Sequence, residues 1–231
     1  MGSSRQYGLW FVNQSLNAGK ACVYQDPGNV SGEADATMLA WMLTGANPAV
    51  QVNFIWSIDY DFAWFDHGAP RSQEISSAGL ATANSVVFGK NQYGYCFQAP
   101  TTGPASGQLT IRSDGSIPAV NNTLVGIGMH GAGTFVVPAG PNVNNAFTPA
   151  QDSDLVYWIS FGNYSFNVND PVDPSTLNSS GKIVFPYGVY TMTAVLNPQN
   201  LWNIYPGPPA APNTAQTVVR YEAGKGLLPS A

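Results

Sequence analysis

The chain has 231 residues, of which 44% are hydrophobic and only 9% are charged, and its formal net charge is −5. Its eight lysines and arginines are scattered singly, so no basic stripe is available to neutralise phosphates. This distribution argues against binding to nucleic acid and against attraction to anionic lipid. The sequence has no run of 18 apolar residues, so we expect no membrane-spanning helix.

The low charge is accompanied by 12% aromatic residues, which excludes intrinsic disorder because disordered chains are charge-rich and aromatic-poor. A surface of Asn, Ser, Thr, Gln and Gly is typical of lectins, secreted proteins and proteins that assemble. The first residues lack a hydrophobic signal core, so we expect a protein that is cytoplasmic or released without a classical signal peptide, unless a signal has been removed. Cys22 and Cys96 lie in strand-like segments, where two buried free thiols are favoured over a disulfide.

The first predicted elements are short strands, one beginning at Tyr7 and one at residues 22–25. Residues 36–43 (A-T-M-L-A-W-M-L) form the one segment with good helix propensity. Asp35 precedes this segment as a plausible N-cap, and Gly45 follows its end. We therefore expect one short helix here.

The stretch from residue 51 to residue 65 carries the strongest structural signal (Q-V-N-F-I-W-S-I-D-Y-D-F-A-W-F). Its even positions are apolar or aromatic, and many of its odd positions are polar. A period of two predicts a long, bent strand or a hairpin, with one dry face and one wet face.

Further strands are predicted at residues 85–89, 95–98, 108–112, 125–129, 134–137, 156–161, 189–196 and 201–205. Glycine and proline clusters separate nearly all of them. Ten or more short strands at this spacing predict an all-β fold, most simply an antiparallel two-sheet β-sandwich that spans residues 1–205.

The composition changes after Tyr205, where the proline-rich residues 206–212 predict a stiff, extended arm that occupies residues 206–231. A strand on such an arm can add to a sheet edge, in its own domain or in a neighbouring copy, whereas the alternative is a disordered tail. The predicted strand consists of Thr217, Val218, Val219, Arg220 and Tyr221.

Residues 126–131 match the pattern G-x-G-x-x-G. A dinucleotide site would require a helix directly after the motif, so that its N-terminus meets the pyrophosphate. The following residues, 132–138, have the pattern of a strand. We therefore assign the glycines to a tight hairpin or a bulge, and we expect no cofactor.

Four titratable residues lie close together in the sequence and form a possible ligand rim, which is extended by an aromatic candidate for sugar stacking: Asp59, Asp61, Asp66, His67 and Trp202. The acidic residues and the histidine lack the spacing of a trustworthy metal site. Asp59 and Asp61 are either a carboxylate pair or part of a wet strand face, and the wet face is favoured. No G-x-S-x-G nucleophile motif is present.

Six blocks, in this order and spacing, resemble the rhizosphere-induced protein RhiA family of soil and plant-associated bacteria: C-V-Y-Q (22–25), L-A-W (39–41), W-S-I-D-Y-D-F-A-W (56–64), G-I-G-M with G-T-F (126–129, 133–135), Y-W-I-S-F-G (157–162) and V-Y-T-M-T-A (189–194). The resemblance covers Tyr7 to Tyr205. It implies an abundant protein under quorum-sensing control with no established enzymatic activity and no catalytic residues to carry over. The arm lies outside the pattern, and His130 stands where a small residue is expected.

Three functions follow from the sequence, in decreasing order of support. The first is a non-enzymatic protein that acts by self-association or surface coating, with its arm paired to the sheet edge of a neighbour. The second is a carbohydrate-binding module whose exposed aromatic rings stack on sugars. The third is an enzyme that uses Asp59, Asp61 and His67.

Overall fold

The computed structural model describes residues 5–33, 35–67, 71–210 and 217–229. These residues confirm the all-β class, because their regular structure consists of strands and three 3-10 helices of three residues each, Pro27–Asn29, Asp152–Asp154 and Pro174–Thr176. The strands are β1 Gln6–Asn13, β2 Gly19–Gln25, β3 Val30–Ser31, β4 Thr37–Met38, β5 Met42–Ala46, β6 Val50–Ser57, β7 Tyr60–Asp66, β8 Ser72–Ser77, β9 Ser85–Asn91, β10 Gly94–Phe97, β11 Leu109–Ser113, β12 Thr123–Met129, β13 Ala132–Pro138, β14 Asn144–Pro149, β15 Val156–Gly162, β16 Ser180–Val184, β17 Thr191–Leu196, β18 Trp202–Pro206, β19 Thr217–Glu222 and β20 Gly226–Leu227.

The described strands form four sheets, with the orders β18-β17-β1-β6-β19-β20, β10-β9-β11-β14-β3, β4-β13-β12-β7-β8 and β16-β15-β2-β5. The predicted two-sheet sandwich was therefore too simple. Most pairings are antiparallel, whereas β1 with β17, β9 with β11 and β6 with β19 pair in parallel. Among the described residues, no helix is both long and apolar enough to cross a membrane.

The alternating stretch at residues 51–65 is two strands that belong to different sheets. The chain bends at Ile58 and Asp59, where it passes from β6 to β7. The expected wet face was wrong, because the polar side chains of Gln51, Ser57 and Asp61 are buried. The strands are covered on both faces, and a strand pattern alone does not reveal a second covering layer.

The expected helix at residues 36–43 was also wrong. The segment contains β4, the start of β5 and an extended connection between them. The backbone amides of Leu39, Ala40 and Trp41 donate to the carbonyl groups of Thr134, Asp170 and Val23, respectively. Side chains 38–42 are all buried, so pairing with three distant segments overrides the local helix propensity.

The core is built around large aromatic rings. The ring centres of Trp41 and Trp56 lie 5.3 Å apart, and those of Trp56 and Tyr157 lie 5.1 Å apart. The arm reaches this core, since β19 pairs with β6 of its own chain and the Tyr221 ring lies 5.5 Å from that of Phe54. The predicted strand thus pairs with β6 of its own chain, and β20 forms the outer strand of that sheet.

The G-x-G-x-x-G motif forms a hairpin between β12 and β13, as predicted. His130 and Gly131 make the two-residue turn, with φ angles of 53° and 77°. Positive φ at both positions is the geometry of a type I′ turn. The register shifts between Ile127 and Gly128, so a bulge is present as well. Both cysteines are free, and Cys22 is buried whereas Cys96 is half-buried.

Candidate functional site

The structure does not bring the predicted rim residues together. Asp59 and Asp61 lie at the start of β7, whereas Asp66 and His67 lie at its end. Five residue steps in a strand span about 17 Å, so these pairs are too far apart to hold one ligand atom jointly. Trp202 belongs to β18 in a different sheet. The three groups therefore occupy three separate places.

The end of β7 carries a small cavity of about 170 Å³, which Asp66 and His67 line together with Arg71 and Asp170. Arg71 and Asp170 form an ion pair with an N–O distance of 3.0 Å. This volume is below the range of about 300–1,000 Å³ that is usual for small-molecule sites. In the part of the chain that the structure describes, no three His, Cys, Asp or Glu side chains are grouped as a metal site requires.

The start of β7 carries a hydrogen-bonded cluster around His130, at the tip of the hairpin. Its Nδ1 lies 2.6 Å from the Ser57 hydroxyl and accepts the Ser57 backbone N–H at 3.2 Å. Because Nδ1 accepts a backbone hydrogen bond, Nε2 carries the proton and donates it to Glu222 at 3.1 Å. Asp61 accepts the backbone N–H of Gly131 at 2.6 Å. The order serine, histidine, carboxylate is that of a nucleophilic triad.

Two observations argue against a nucleophile at this cluster. Ser57 is buried, and its hydroxyl also hydrogen-bonds to Asp59.

Burial raises the pKa of Asp61 to about 6, against the opposing effects of the Gly131 N–H and of His130. Lys225 and then His130 hold the pKa of Glu222 below its usual range. The cluster joins β6, the hairpin and β19, which is a structural role.

An uncharged opening lies beside Trp202, which is the one rim candidate that lines it. This Trp202 cavity has a volume of about 490 Å³. None of the described residues that line it is charged, and four of them are asparagines whose amides provide donors and acceptors. Three loops and the strands β15, β17 and β18 supply them: Leu16, Asn17, Ala18, Phe161, Gly162, Asn163, Asn178, Ser179, Leu196, Asn200 and Trp202.

The Trp202 ring is held in place from two sides. Its indole N–H donates to the carbonyl oxygen of Ser179 at 2.9 Å, and its ring centre lies 5.8 Å from that of Phe11. The ring also lies against β16 at Gly181, where an added Cβ would come within 3.1 Å of the indole. Glycine at this position therefore lets the indole lie against the strand, and the half-buried ring is a fixed platform.

Hydrogen bonds also orient the amides of the Trp202 cavity. The side-chain amide of Asn17 donates to Oδ1 of Asn200 at 3.2 Å, and that of Asn178 donates to the Phe161 carbonyl at 3.1 Å. Asn200 has a φ of 59°, a left-handed conformation that asparagine tolerates. The polar groups of the cavity are thus arranged before any ligand arrives.

A second cavity, of about 460 Å³, adjoins the first at Asn178 and Ser179 and contains Trp158. The indole N–H of Trp158 donates to Asp26 at 2.7 Å. The ammonium group of Lys182 lies 6.0 Å from the centre of the Trp158 ring. Two indole platforms therefore lie on either side of the loop that precedes β16.

Fixed aromatic rings beside uncharged amides suit ligands that are rich in hydroxyl groups. A sugar ring offers a C–H face that packs on an aromatic ring, and its hydroxyls both donate and accept. The sequence pointed to Trp202, but it did not indicate which loops surround it. The sequence interpretation assigned His130 to a turn and missed its contacts with Ser57 and Glu222. One available signal was the departure of His130 from the small residue expected there.

Comparison with known proteins finds one family model and one curated protein that match most of the chain. The family model described as RhiA matches residues 4–207. Protein RhiA of Rhizobium leguminosarum bv. viciae is 32% identical over 213 residues, which cover 87% of this chain and 87% of that protein. No solved structure matches. The matched residues contain the lining of both tryptophan cavities, whereas β19 and β20 lie beyond them.

Proposed function

Since the chain belongs to the RhiA family, we propose that its function is to bind neutral carbohydrate in the Trp202 cavity, as a binding protein without enzymatic activity. One observation carries this proposal: an uncharged cavity in the family-matched part of the chain combines a fixed indole with four asparagine side chains. The volume of about 490 Å³ accommodates one or two sugar rings.

The lack of charge determines the class of ligand. A phosphate or carboxylate ligand needs a cationic partner when it leaves water, and the described residues that line the Trp202 cavity include no lysine or arginine. A hydroxyl group, by contrast, is satisfied by an amide that donates on one side and accepts on the other. The exposed apolar side chain of Leu16 adds surface for the C–H face of a sugar.

The test is a glycan array that contains neutral and acidic glycans, probed with the full chain and with three variants. Trp202→Ala removes the platform. Asn163→Arg places a long, charged side chain at the cavity from an exposed position, so it leaves the core intact. Asn203→Arg is the matched control, because Asn203 is exposed and adjacent residues on a strand point to opposite faces.

We expect the full chain and Asn203→Arg to bind neutral glycans. We expect Trp202→Ala and Asn163→Arg to lose that binding. Thermal melting checks that each variant is folded, which matters for Trp202 because its ring also packs on Phe11. Absence of neutral glycan binding to the full chain, or equal binding by all folded variants, would contradict the proposal.

A second candidate function is self-association by exchange of β19 between copies. One observation favours it: β19 lies beyond the family-matched residues, yet it covers the edge of β6, a strand within them. An edge that accepts a strand from its own chain accepts the same strand from a second copy with the same contacts. The arm then pairs with a neighbour's sheet edge.

The register of the sheet shows how far the connection reaches. Pro206 pairs with Met192, Met192 with Leu9, Leu9 with Phe54, and Phe54 with Tyr221, so Pro206 and Tyr221 lie level on either side of three strands. From Pro206 to Thr217 the separation is about 23 Å. Eleven residue steps reach about 36 Å. The distance therefore permits β19 to pair with β6 of its own chain.

A cross-link distinguishes exchange from pairing within one chain. Arg220 lies opposite Asn53 in the parallel pair, close enough for a disulfide, so we would make Asn53→Cys with Arg220→Cys in a Cys96→Ser background. Cys22 stays out of the reaction, because burial raises its pKa to about 12. Exchange predicts cross-linked dimers whose fraction increases with protein concentration. It also predicts that a chain that ends at Pro206 has the solution mass of a monomer. Cross-linked monomer at every concentration would exclude exchange.

A further inference from the structure

We propose a second binding site, separate from the Trp202 cavity, that takes a small zwitterion with a quaternary ammonium group and an anionic group. The site is a cavity of about 520 Å³. It lies where the start of β1 meets the Asp152–Asp154 helix and the loop between β16 and β17. We call it the tyrosine cavity, and the residues that carry the argument are Arg5, Tyr7, Asp152, Phe185, Tyr187 and Tyr190.

Aromatic rings form the walls of the tyrosine cavity. The ring of Tyr7 meets that of Phe185 at 86° with a centre distance of 5.1 Å, and that of Tyr190 at 72° and 5.6 Å. Rings at right angles present faces and edges to a common space. Tyr187 is fully exposed, at 105% of its reference area, and lines the opening. An aromatic face attracts a cation, and boxes of such rings bind quaternary ammonium groups.

The tyrosine cavity carries one charge of each sign. The Arg5 guanidinium lies 5.1 Å from the centre of the Tyr190 ring, and Asp152 lines the same cavity. Burial and then Asp152 raise the pKa of Tyr7, whereas Arg5 lowers it, so both charges act on the same hydroxyl. Among the described residues, Arg5 and Asp152 form no ion pair with each other. Both remain available to a ligand.

Tyr60 does not line the tyrosine cavity, but its buried hydroxyl is within electrostatic reach of Asp152, which does. The Tyr60 hydroxyl has no hydrogen-bond partner among the described residues, and the side chain is almost fully buried. Burial and then Asp152 raise the pKa of Tyr60, which places its hydroxyl within electrostatic reach of that carboxylate. A buried hydroxyl without a partner costs about 1–3 kcal/mol. Tyr60 therefore stays neutral, and Asp152 supplies the negative charge at this side of the cavity.

The combination of charges selects the ligand. A simple cation is attracted by Asp152 and the rings but repelled by Arg5. A simple anion is attracted by Arg5 but repelled by Asp152 and the ring faces. A zwitterion places its ammonium group against the rings and Asp152, and its carboxylate or phosphate against the Arg5 guanidinium. Free betaines and phosphocholine headgroups of lipids share this chemistry.

Calorimetric titration with glycine betaine and with phosphocholine tests the site. Two comparison ligands isolate the charges: 3,3-dimethylbutanoate has the shape of glycine betaine without its cation, and choline lacks the anion. We expect binding of the zwitterions and affinities lower by about tenfold or more for both comparison ligands. Titration with phosphatidylcholine vesicles then separates the sources, since co-sedimentation indicates a lipid headgroup and its absence indicates a free zwitterion.

Three variants locate the binding. Tyr187→Ala and Asp152→Asn should each lower the affinity by about tenfold, and Tyr187→Ala removes a ring that supports no core packing. Tyr93→Ala is the matched control, because Tyr93 is 89% exposed and lies outside the tyrosine cavity. The proposal is overturned if neither zwitterion binds, if 3,3-dimethylbutanoate binds as well as glycine betaine, or if Tyr187→Ala and Tyr93→Ala bind alike. Glycan binding by the Trp202 cavity is independent of every one of these results.

Discussion

Nε2 of His130 lies 3.1 Å from Oε1 of Glu222, and this hydrogen bond joins the β12–β13 hairpin to the C-terminal strand. Glu222 lies beyond the family-matched residues, whereas His130 lies within them. The bond therefore joins the family-matched part of the chain to the segment that follows it. Close packing accompanies the bond, since a Cβ added at Gly224 would lie 2.6 Å from the His130 carbonyl oxygen.

Replacing His130 should loosen the C-terminal strand. Asn is the suitable replacement, because it tolerates the positive φ of 53° but does not reach Glu222. We expect His130→Asn to lower the free energy of unfolding by about 1–2 kcal/mol and to speed amide hydrogen exchange in β19. Lys225→Met is the control, because the exposed pair of Lys225 with Glu222 is worth about 0–1 kcal/mol. Unchanged exchange in β19 would show that the bond does not hold the strand.

Asp61 should make stability depend on pH. Its pKa of about 6 in the folded protein is above the ordinary value of 3.8, so between these pH values the folded state retains a proton that the unfolded state releases. The free energy of unfolding therefore contains a contribution that falls as pH rises from about 4 to about 6 and is constant above that range. Asp61→Asn should abolish this contribution while keeping an acceptor for the Gly131 N–H.

We expect Asp61→Asn to be more stable than the parent at pH 7 by about 1–3 kcal/mol, and the difference to vanish near pH 4. Denaturant unfolding at four pH values measures this difference. A constant difference across the range, or a less stable variant at pH 7, would contradict the assignment.

Gly133, in β13 just after the G-x-G-x-x-G motif, should tolerate no larger residue. A Cβ there would lie 2.6 Å from the Phe65 ring and 2.8 Å from the Leu39 side chain. We expect Gly133→Ala to lower the melting temperature markedly, through overpacking worth about 1–3 kcal/mol. Gly45→Ala is the control, because its Cβ would meet nothing closer than 4.0 Å. Equal stability of the two variants would remove the packing explanation for the glycine.

Trp158 should matter only for longer sugars. Its cavity adjoins the Trp202 cavity at Asn178 and Ser179, so a second or third sugar unit reaches it. We expect Trp158→Ala to leave monosaccharide affinity unchanged and to weaken oligosaccharide binding by about 1 kcal/mol. Calorimetry with a series of increasing chain length measures this change. A loss that is already complete for the monosaccharide would place Trp158 in the primary site or in the fold.

Local patterns predicted the parts of the fold that depend on local chemistry. The glycine-rich segment was correctly predicted as a hairpin. A type I′ turn requires positive φ at both central residues, and His130 and Gly131 have that geometry. The helix at residues 36–43 failed because the backbone amides there pair with three distant segments. The wet face at residues 51–65 failed because the side chains of Gln51, Ser57 and Asp61 are buried.

The candidate site was less predictable for a geometrical reason. Asp61 and Asp66 are close in sequence, but an extended strand separates them by about 17 Å. The Trp202 cavity, in contrast, joins Asn17, Asn163 and Asn200, which are far apart in sequence and meet only when several loops converge. The contact of His130 with Glu222 requires that β19 is docked on β6.

The indole region of a proton–nitrogen NMR spectrum tests the central proposal most directly. The chain has six tryptophans, and single Trp→Phe variants assign their indole N–H signals. Neutral oligosaccharides should shift the signal of Trp202, and longer ones that of Trp158, while the buried Trp41 and Trp56 stay unchanged. No shift with any neutral sugar, or equal small shifts of all the signals, would contradict carbohydrate binding in the Trp202 cavity.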